Sequence, residues 1–212
     1  MKAYLAEFFG TFIMVLVGTS TIVASSYFSL VNNLVISASF GIIVMTMIYV
    51  FRGTSGAHIN PAVSLAFFFM GDLSLSRFLI YLFCQLLGGV AASTVVSLLF
   101  PLTKSFGETT PSIELLFAFG IELLISAVLM TSIVFIAFHK KWSNLTAPFV
   151  GFVVFVLAFF FGPYTGASMN PARTFGPAIF SQTTDFLWLY FTAPFLGTSI
   201  IGFAYRAFTN PK

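Results

Sequence analysis

Charge is scarce in this chain. Its 212 residues include nine basic and six acidic side chains, so that 7% are charged, whereas an ordinary soluble domain carries about 25%. So few charges cannot hydrate the surface of a soluble protein of this length, and a hydrophobic content of 58% excludes a disordered chain. The basic residues that are present are scattered rather than grouped, and they indicate no nucleic-acid binding.

Reactive side chains are scarce as well. The single cysteine, Cys84, excludes an intrachain disulfide framework and any paired-cysteine metal or redox motif. The six carboxylates and two histidines stand singly, and no motif pairs them. The sequence therefore predicts a protein that is not an enzyme and that holds neither a metal nor a cofactor.

Long apolar runs, by contrast, are abundant. Six of them are long enough, or nearly so, to cross the roughly 30 Å hydrocarbon core of a bilayer as helices of about 20 residues. They lie at about residues 4–25, 34–51, 78–100, 113–138, 147–161 and 186–208. The sequence predicts an all-α membrane protein with six transmembrane helices, whose first partner is the lipid bilayer.

The basic residues indicate how these helices are oriented. An even number of spans places both termini on one side of the membrane, together with the loops that carry most of the basic residues: Lys2, Arg52, Arg77, Lys140, Lys141, Arg206 and Lys212. Lys104 falls on the opposite side, and Arg173 lies within an apolar segment. Because cytoplasmic loops carry the excess of Lys and Arg, we expect cytoplasmic N- and C-termini.

Two further apolar segments, residues 60–70 and 170–180, are too short to span. Eleven helical residues rise about 16 Å, about half the core, which is typical of re-entrant segments. The residues leading into them match at a constant offset of 110: Ser55-Gly56-Ala57-His58-Ile59-Asn60-Pro61-Ala62 corresponds to Thr165-Gly166-Ala167-Ser168-Met169-Asn170-Pro171-Ala172. The chain therefore contains an internal repeat.

The repeat unit comprises two spans, a half-helix and one further span. Glu7 and Glu122 lie in the first span of each unit. We predict one domain over 1–212, built from repeats at approximately 1–101 and 112–208. Three spans per unit is an odd number, so the second unit enters the membrane from the opposite side, and the short segments point to the functional site.

The repeated Asn-Pro-Ala has a direct physical meaning. Asn60 and Asn170 are good N-caps, and Pro61 and Pro171 suit the first helical position. Two half-helices that begin at these residues would point their positive dipole ends at one spot near the bilayer midplane, which opposes cations but not neutral solutes. The turns at 53–59 and 162–169 are expected to be non-helical, which at membrane depth requires a buried or water-filled surrounding.

These motifs resemble those of the aquaporin, or major intrinsic protein, family. The resemblance rests on His58-Ile59-Asn60-Pro61-Ala62-Val63 and Ser168-Met169-Asn170-Pro171-Ala172-Arg173, with Ala6-Glu7-Phe8-Phe9-Gly10-Thr11 and Gln85-Leu86-Leu87-Gly88 in support. It covers essentially the whole chain and is closest to the bacterial water channels. It implies an inverted-repeat, right-handed bundle of six helices and two half-helices, with one pore per subunit, usually a homotetramer. The short termini and compact loops suggest a location in the plasma (inner) membrane.

The resemblance also implies roles for further residues. A selectivity filter would be formed by Phe40, Ala158, Ala167 and Arg173, and a slip of one residue would replace Ala158 by Leu157 or Phe159. The charge of Arg173 at membrane depth is itself a sign of function, because such a charge is costly unless it faces a wet cavity. Glu7, Glu122, His58 and Gln85 would support the loops that precede the half-helices. His58 would bond loop backbone, and Gln85 would be a ligand for loop carbonyls.

The implied function is a passive channel for water that excludes ions and protons. Ala158 and Ala167 would leave the filter wide, which favours an alternative, a facilitator for glycerol, urea or other small neutral solutes. Thr174 after Arg173, and Tyr190 in the last span, resemble the water channels instead. A secondary transporter is a third alternative, but the N-termini of half-helices would repel a coupling cation.

Overall fold

The computed structural model describes residues 1–27 and 32–209; Lys212, one of the basic residues above, lies outside them. Over these ranges the chain forms eight α-helices, with a short 3-10 helix at Ser143–Leu145. The helices are α1 (Lys2–Tyr27), α2 (Asn33–Ser55), α3 (Pro61–Met70), α4 (Leu75–Leu99), α5 (Leu115–Ala137), α6 (Thr146–Thr165), α7 (Pro171–Ser181) and α8 (Leu187–Thr209).

Six of these helices have the length and apolarity of membrane spans: α1, α2, α4, α5, α8, and α6 together with the 3-10 helix before it. Large apolar side chains such as Phe83, Phe117 and Phe152 are more than 60% exposed on their outer faces, a surface that only lipid solvates well. The half-helices α3 and α7 contain 10 and 11 residues. The predicted all-α membrane fold is confirmed.

Two helices extend further than the sequence indicates. α2 continues to Ser55 and α6 to Thr165, so 53–55 and 162–165 are helical and the irregular stretches shrink to 56–60 and 166–170. Each helix ends at a glycine in the left-handed conformation, Gly56 (φ 93°) and Gly166 (φ 79°), where glycine has no steric penalty.

Pro163 lies inside α6 because a neighbouring helix compensates for it. Proline has no N–H, so the carbonyl of Phe159 four residues earlier lacks its helical partner. The side-chain amide Nδ2 of Asn33, at the start of α2, donates to this carbonyl at 2.8 Å. A proline that would end a helix in isolation is therefore tolerated here.

Glycines allow the spans to approach closely. A Cβ on Gly41 of α2 would lie 2.7 Å from the carbonyl oxygen of Gly151 of α6, and one on Gly151 would lie 2.6 Å from that of Gly41. Such contacts between backbones are typical of membrane helices. The half-helices pack across the repeats, α3 mainly against α8 and α7 mainly against α4, which fixes both half-helices between the spans.

Candidate pore and selectivity filter

Each half-helix begins with the expected capping asparagine. Asn60 and Asn170 have extended backbones (φ −157° and −147°), and each is followed by a proline at the first helical position. Oδ1 of Asn60 accepts from the N–H of Ala62 at 2.8 Å, and Oδ1 of Asn170 accepts from that of Ala172 at 3.0 Å. These bonds satisfy part of the free donors at a helix start.

The same two asparagines join the halves of the molecule. Nδ2 of Asn60 donates to the carbonyl of Met169 at 2.8 Å, and Nδ2 of Asn170 donates to the carbonyl of Ile59 at 2.9 Å. The two half-helix starts therefore lie side by side, and each amide retains a second N–H. Nδ2 of Asn170 also lies 3.9 Å from the sulfur of Met14.

The loops that lead into the half-helices are strained. Ala57, Ile59, Ala167 and Met169 have φ between 42° and 52°, a region that side chains other than glycine rarely adopt and that is an outlier for β-branched Ile59. Strain of this kind persists only where the surroundings determine the conformation. Here two buried carboxylates hold the loops in this conformation by accepting hydrogen bonds from them.

Glu7 in α1 holds the first loop. Its Oε1 accepts from Ser55 Oγ at 2.6 Å and from the N–H of His58 at 2.9 Å, and its Oε2 accepts from the N–H of Ile59 at 2.6 Å. Ser55 Oγ in turn accepts from the N–H of Ala57 at 3.0 Å. The carboxylate thus fixes consecutive backbone donors that no helix or strand satisfies.

Glu122 in α5 does the same for the second loop. Its Oε1 accepts from Thr165 Oγ1 at 2.7 Å and from the N–H of Ser168 at 2.9 Å, and its Oε2 accepts from the N–H of Met169 at 2.9 Å. Thr165 Oγ1 accepts from the N–H of Ala167 at 3.1 Å. The two loops are therefore supported by equivalent contacts.

The expected contacts of Gln85 and His58 with loop backbone are wrong in detail. Gln85 Nε2 donates to Glu7 Oε2 at 2.8 Å and to Ser64 Oγ at 2.9 Å, and so positions the carboxylate rather than a loop carbonyl. The ring of His58 lies 3.1 Å from Ser64 Oγ through Nδ1 and stacks on Phe67 at 4.4 Å. The hydroxyl of Ser64, one turn into α3, contacts both side chains. The Asn-Pro-Ala motif does not indicate this contact.

The four residues assigned to the filter lie between two cavities. The inner cavity, of about 110 Å³, is lined by both capping asparagines and His58, and the outer cavity, of about 390 Å³, is lined by polar residues of the loops such as Asn33 and Glu108. The residues common to both cavities are Phe40, Ala158, Ala167 and Arg173. The one-residue alternatives, Leu157 and Phe159, are absent from both linings.

Arg173 is held rigidly in this constriction. It is 3% exposed, its Nη1 donates to the carbonyl of Gly107 at 2.5 Å, and its guanidinium carbon lies 5.1 Å from the centre of the Phe40 ring. Gly107 belongs to the connection between α4 and α5, and its φ of 74° requires glycine there. A cation over an aromatic face is an attractive arrangement, so the charge has a fixed place beside the passage.

Several supporting residues were missed by the sequence analysis. The hydroxyls of Tyr81 and Tyr190 donate to the carbonyls of Ser55 and Thr165 at 2.8 and 2.6 Å, and Gly107 anchors Arg173. The offset of 110 would have paired Tyr81 with Phe191, so a difference of one residue hides the correspondence between Tyr81 and Tyr190. No repeated motif points to Gly107, because it lies in the irregular connection between α4 and α5.

Comparisons with known proteins agree with this architecture. Residues 1–205 match the model of the major intrinsic protein family. A probable NIP-type aquaporin of Nicotiana alata is 33% identical over 97% of this chain and 77% of its own length, and aquaporin NIP6-1 of Arabidopsis thaliana is 35% identical over 98% and 68%.

A solved structure is also similar. The aquaglyceroporin of Plasmodium falciparum superposes with a TM-score of 0.89, covering 99% of this chain and 97% of that one, at 24% identity. This likeness concerns the fold. The family match and the relatives establish that the chain belongs to the major intrinsic protein family, whose members are membrane channels for water or small solutes rather than enzymes.

Proposed function

We propose that this channel conducts water passively, in single file, and excludes ions and protons. The observation that carries the proposal is the position of Phe40, Ala158, Ala167 and Arg173 between two cavities. A solute moving from one cavity to the other must pass these four side chains, and then the two capping asparagines.

Water is well matched to this path. The Arg173 guanidinium and the second N–H of Asn60 and Asn170 can donate to the oxygen of a passing molecule. Most of the remaining lining is aliphatic, for example Val44 and Leu129. Few polar contacts along an apolar wall bind water weakly enough for it to leave again, which rapid conduction requires.

Ion exclusion follows from the charge beside the path. Each half-helix start carries about +0.5 of an elementary charge, and the starts of α3 and α7 are joined through Asn60 and Asn170. Arg173 adds a full positive charge at the constriction. Cations and hydronium meet repulsion at both places, whereas the apolar wall cannot replace the hydration shell of an anion.

A facilitator for small neutral solutes is the second candidate. Ala158 and Ala167 present two methyl groups at the filter, which leaves more room than larger side chains would. The aquaglyceroporin of known structure is named for such permeation, but it is a similar fold and not a guide to this filter. We therefore infer that glycerol and urea are the solutes to test beside water.

Assembly and orientation complete the proposal. We infer a homotetramer in the plasma membrane from membership of the family, and cytoplasmic termini from the distribution of basic residues. Crosslinking in native membranes tests the tetramer. A cysteine placed at Lys2 in a Cys84→Ser background tests the orientation, because a membrane-impermeant maleimide should label it only after the membrane is opened.

Stopped-flow light scattering on proteoliposomes tests the proposal. Shrinkage in a sucrose gradient reports water, and re-swelling in glycerol or urea reports neutral solutes. We expect rapid shrinkage with a low activation energy compared with protein-free liposomes. Water flux at the level of protein-free liposomes would contradict the proposal, and saturable uptake that depends on an ion gradient would indicate a secondary transporter.

A further inference from the structure

One face of α1 has a gap at the level of the filter. Met14, Gly18 and Ile22 are spaced by four residues and therefore share a face of the helix. Met14 lines the inner cavity and Ile22 lines the outer one. Gly18 lies between them and contributes no side chain to the wall.

The ring of Phe40 fills this gap. A Cβ placed on Gly18 would lie 2.8 Å from Cδ1 of Phe40 and closer still to Cε1 and Cζ. Carbon atoms in favourable contact are about 3.5–4.0 Å apart, so any side chain at position 18 requires the ring to move by roughly 1 Å. The place of the ring therefore depends on the glycine.

The direction of such a movement is restricted. The face of the ring is opposed by the Arg173 guanidinium at 5.1 Å, and Arg173 is fixed by Gly107. Packed protein interiors leave few voids, whereas Phe40 borders both cavities. A ring displaced from α1 moves into the passage.

We propose that Gly18 is a specificity-determining residue of the channel, which sets the width of the constriction by leaving room for the Phe40 ring against α1. The inference deepens the proposed function and rests on the passage beside Phe40. Gly18 contacts no solute itself; it positions the ring that does.

Transport by Gly18→Ala tests the proposal. Water, formamide, urea and glycerol are measured in proteoliposomes of equal channel content. We expect the largest solute that the native channel admits to lose at least about tenfold in permeability. The permeability to water should fall less, because pore diameter sets solute selectivity. Gly120→Ala is the matched control: it is another glycine within a span, and a Cβ there meets nothing within 4 Å. It should leave all permeabilities unchanged.

A Phe40→Ala background separates positioning from general damage. Without the ring, adding Gly18→Ala should have no further effect on any permeability, including that to water if the native channel admits water alone. An equal loss of permeability with and without the ring would overturn the proposal. If the native channel admits several solutes, the same proportional loss of permeability to all of them would also overturn it.

The structure of the Gly18→Ala variant provides a readout that does not depend on transport. The proposal requires the Phe40 ring to lie roughly 1 Å further from α1, towards the cavities. A ring that keeps its place while α1 shifts would overturn it. If the native protein conducted neither water nor solutes, the proposed function would fail, and the position of the ring would still decide this inference.

Discussion

Replacing Arg173 by Val should make the channel leak cations. The guanidinium lies 5.1 Å from the centre of the Phe40 ring, and both border the constriction. If a monovalent cation in the constriction passes about 5 Å from the guanidinium, the repulsion amounts to about 3 kcal/mol at an effective dielectric constant of 20.

That energy converts to a rate. Each 1.36 kcal/mol of barrier is tenfold, so removal of the charge alone predicts an increase of about 100-fold. Water in the cavities and salt reduce the repulsion. We therefore expect proton leak to rise between about 10-fold and 100-fold, with the half-helix starts still opposing the cation.

Two further variants distinguish charge from anchoring. Val also removes the bond from Arg173 to the carbonyl of Gly107. Arg173→Gln keeps a donor for that carbonyl but lacks the charge, and Arg173→Lys keeps the charge. If the electrostatic reasoning holds, the Gln variant leaks and the Lys variant does not.

The assay is the decay of an imposed pH gradient in vesicles that contain a pH-sensitive dye, with valinomycin and potassium to clamp the potential. Water permeability in the same vesicles reports the amount of open channel. Lys104→Gln, which removes an exposed charge, is the control. Unchanged leak in both the Val and Gln variants would refute the proposed barrier, and leak in the Val variant alone would assign it to loop anchoring.

The remaining predictions concern the filter and its supports. Ala158→His should suppress any glycerol flux in the swelling assay and spare water, because the larger side chain enters the constriction; undiminished glycerol flux would make the assignment wrong. Glu122→Gln places an amide donor against N–H donors and should destabilise the protein in detergent by about 1–3 kcal/mol, whereas exposed Glu114→Gln should not alter the melting temperature. Asn33→Leu leaves the carbonyl of Phe159 without its side-chain donor, so the melting temperature should fall measurably; an unchanged value would refute the role given to this bond.

Much of the fold could be predicted because lipid imposes strong rules on sequence. Six long apolar runs, two short ones and a repeated Asn-Pro-Ala are each visible without any contact information, and family motifs added Phe40 and Arg173. The repeat offset of 110 also placed Ser55 and Thr165 at corresponding positions, although the sequence did not reveal that their hydroxyls contact buried carboxylates.

Helix ends and side-chain partners could not be predicted in the same way. Pro163 indicates that a helix ends before it, but Asn33, 130 residues earlier, satisfies the carbonyl that the proline leaves free. Gln85 was expected to contact loop carbonyls, yet its amide lies between Glu7 and Ser64. Both outcomes depend on which helices become neighbours, and this cannot be predicted from the local sequence.

The arrangement of donors explains how two buried carboxylates are compatible with a passage closed to cations. A bare negative charge beside the path would attract the ions that the channel is proposed to exclude. The oxygens of Glu7 accept four hydrogen bonds and those of Glu122 accept three, so their charge is directed to the loop backbone behind the path. Neither residue lines the cavities, whereas Arg173 lines both. Glu7 and Glu122 thus hold the strained loops in shape, and among the four residues that border both cavities the charged one is Arg173, which is positive.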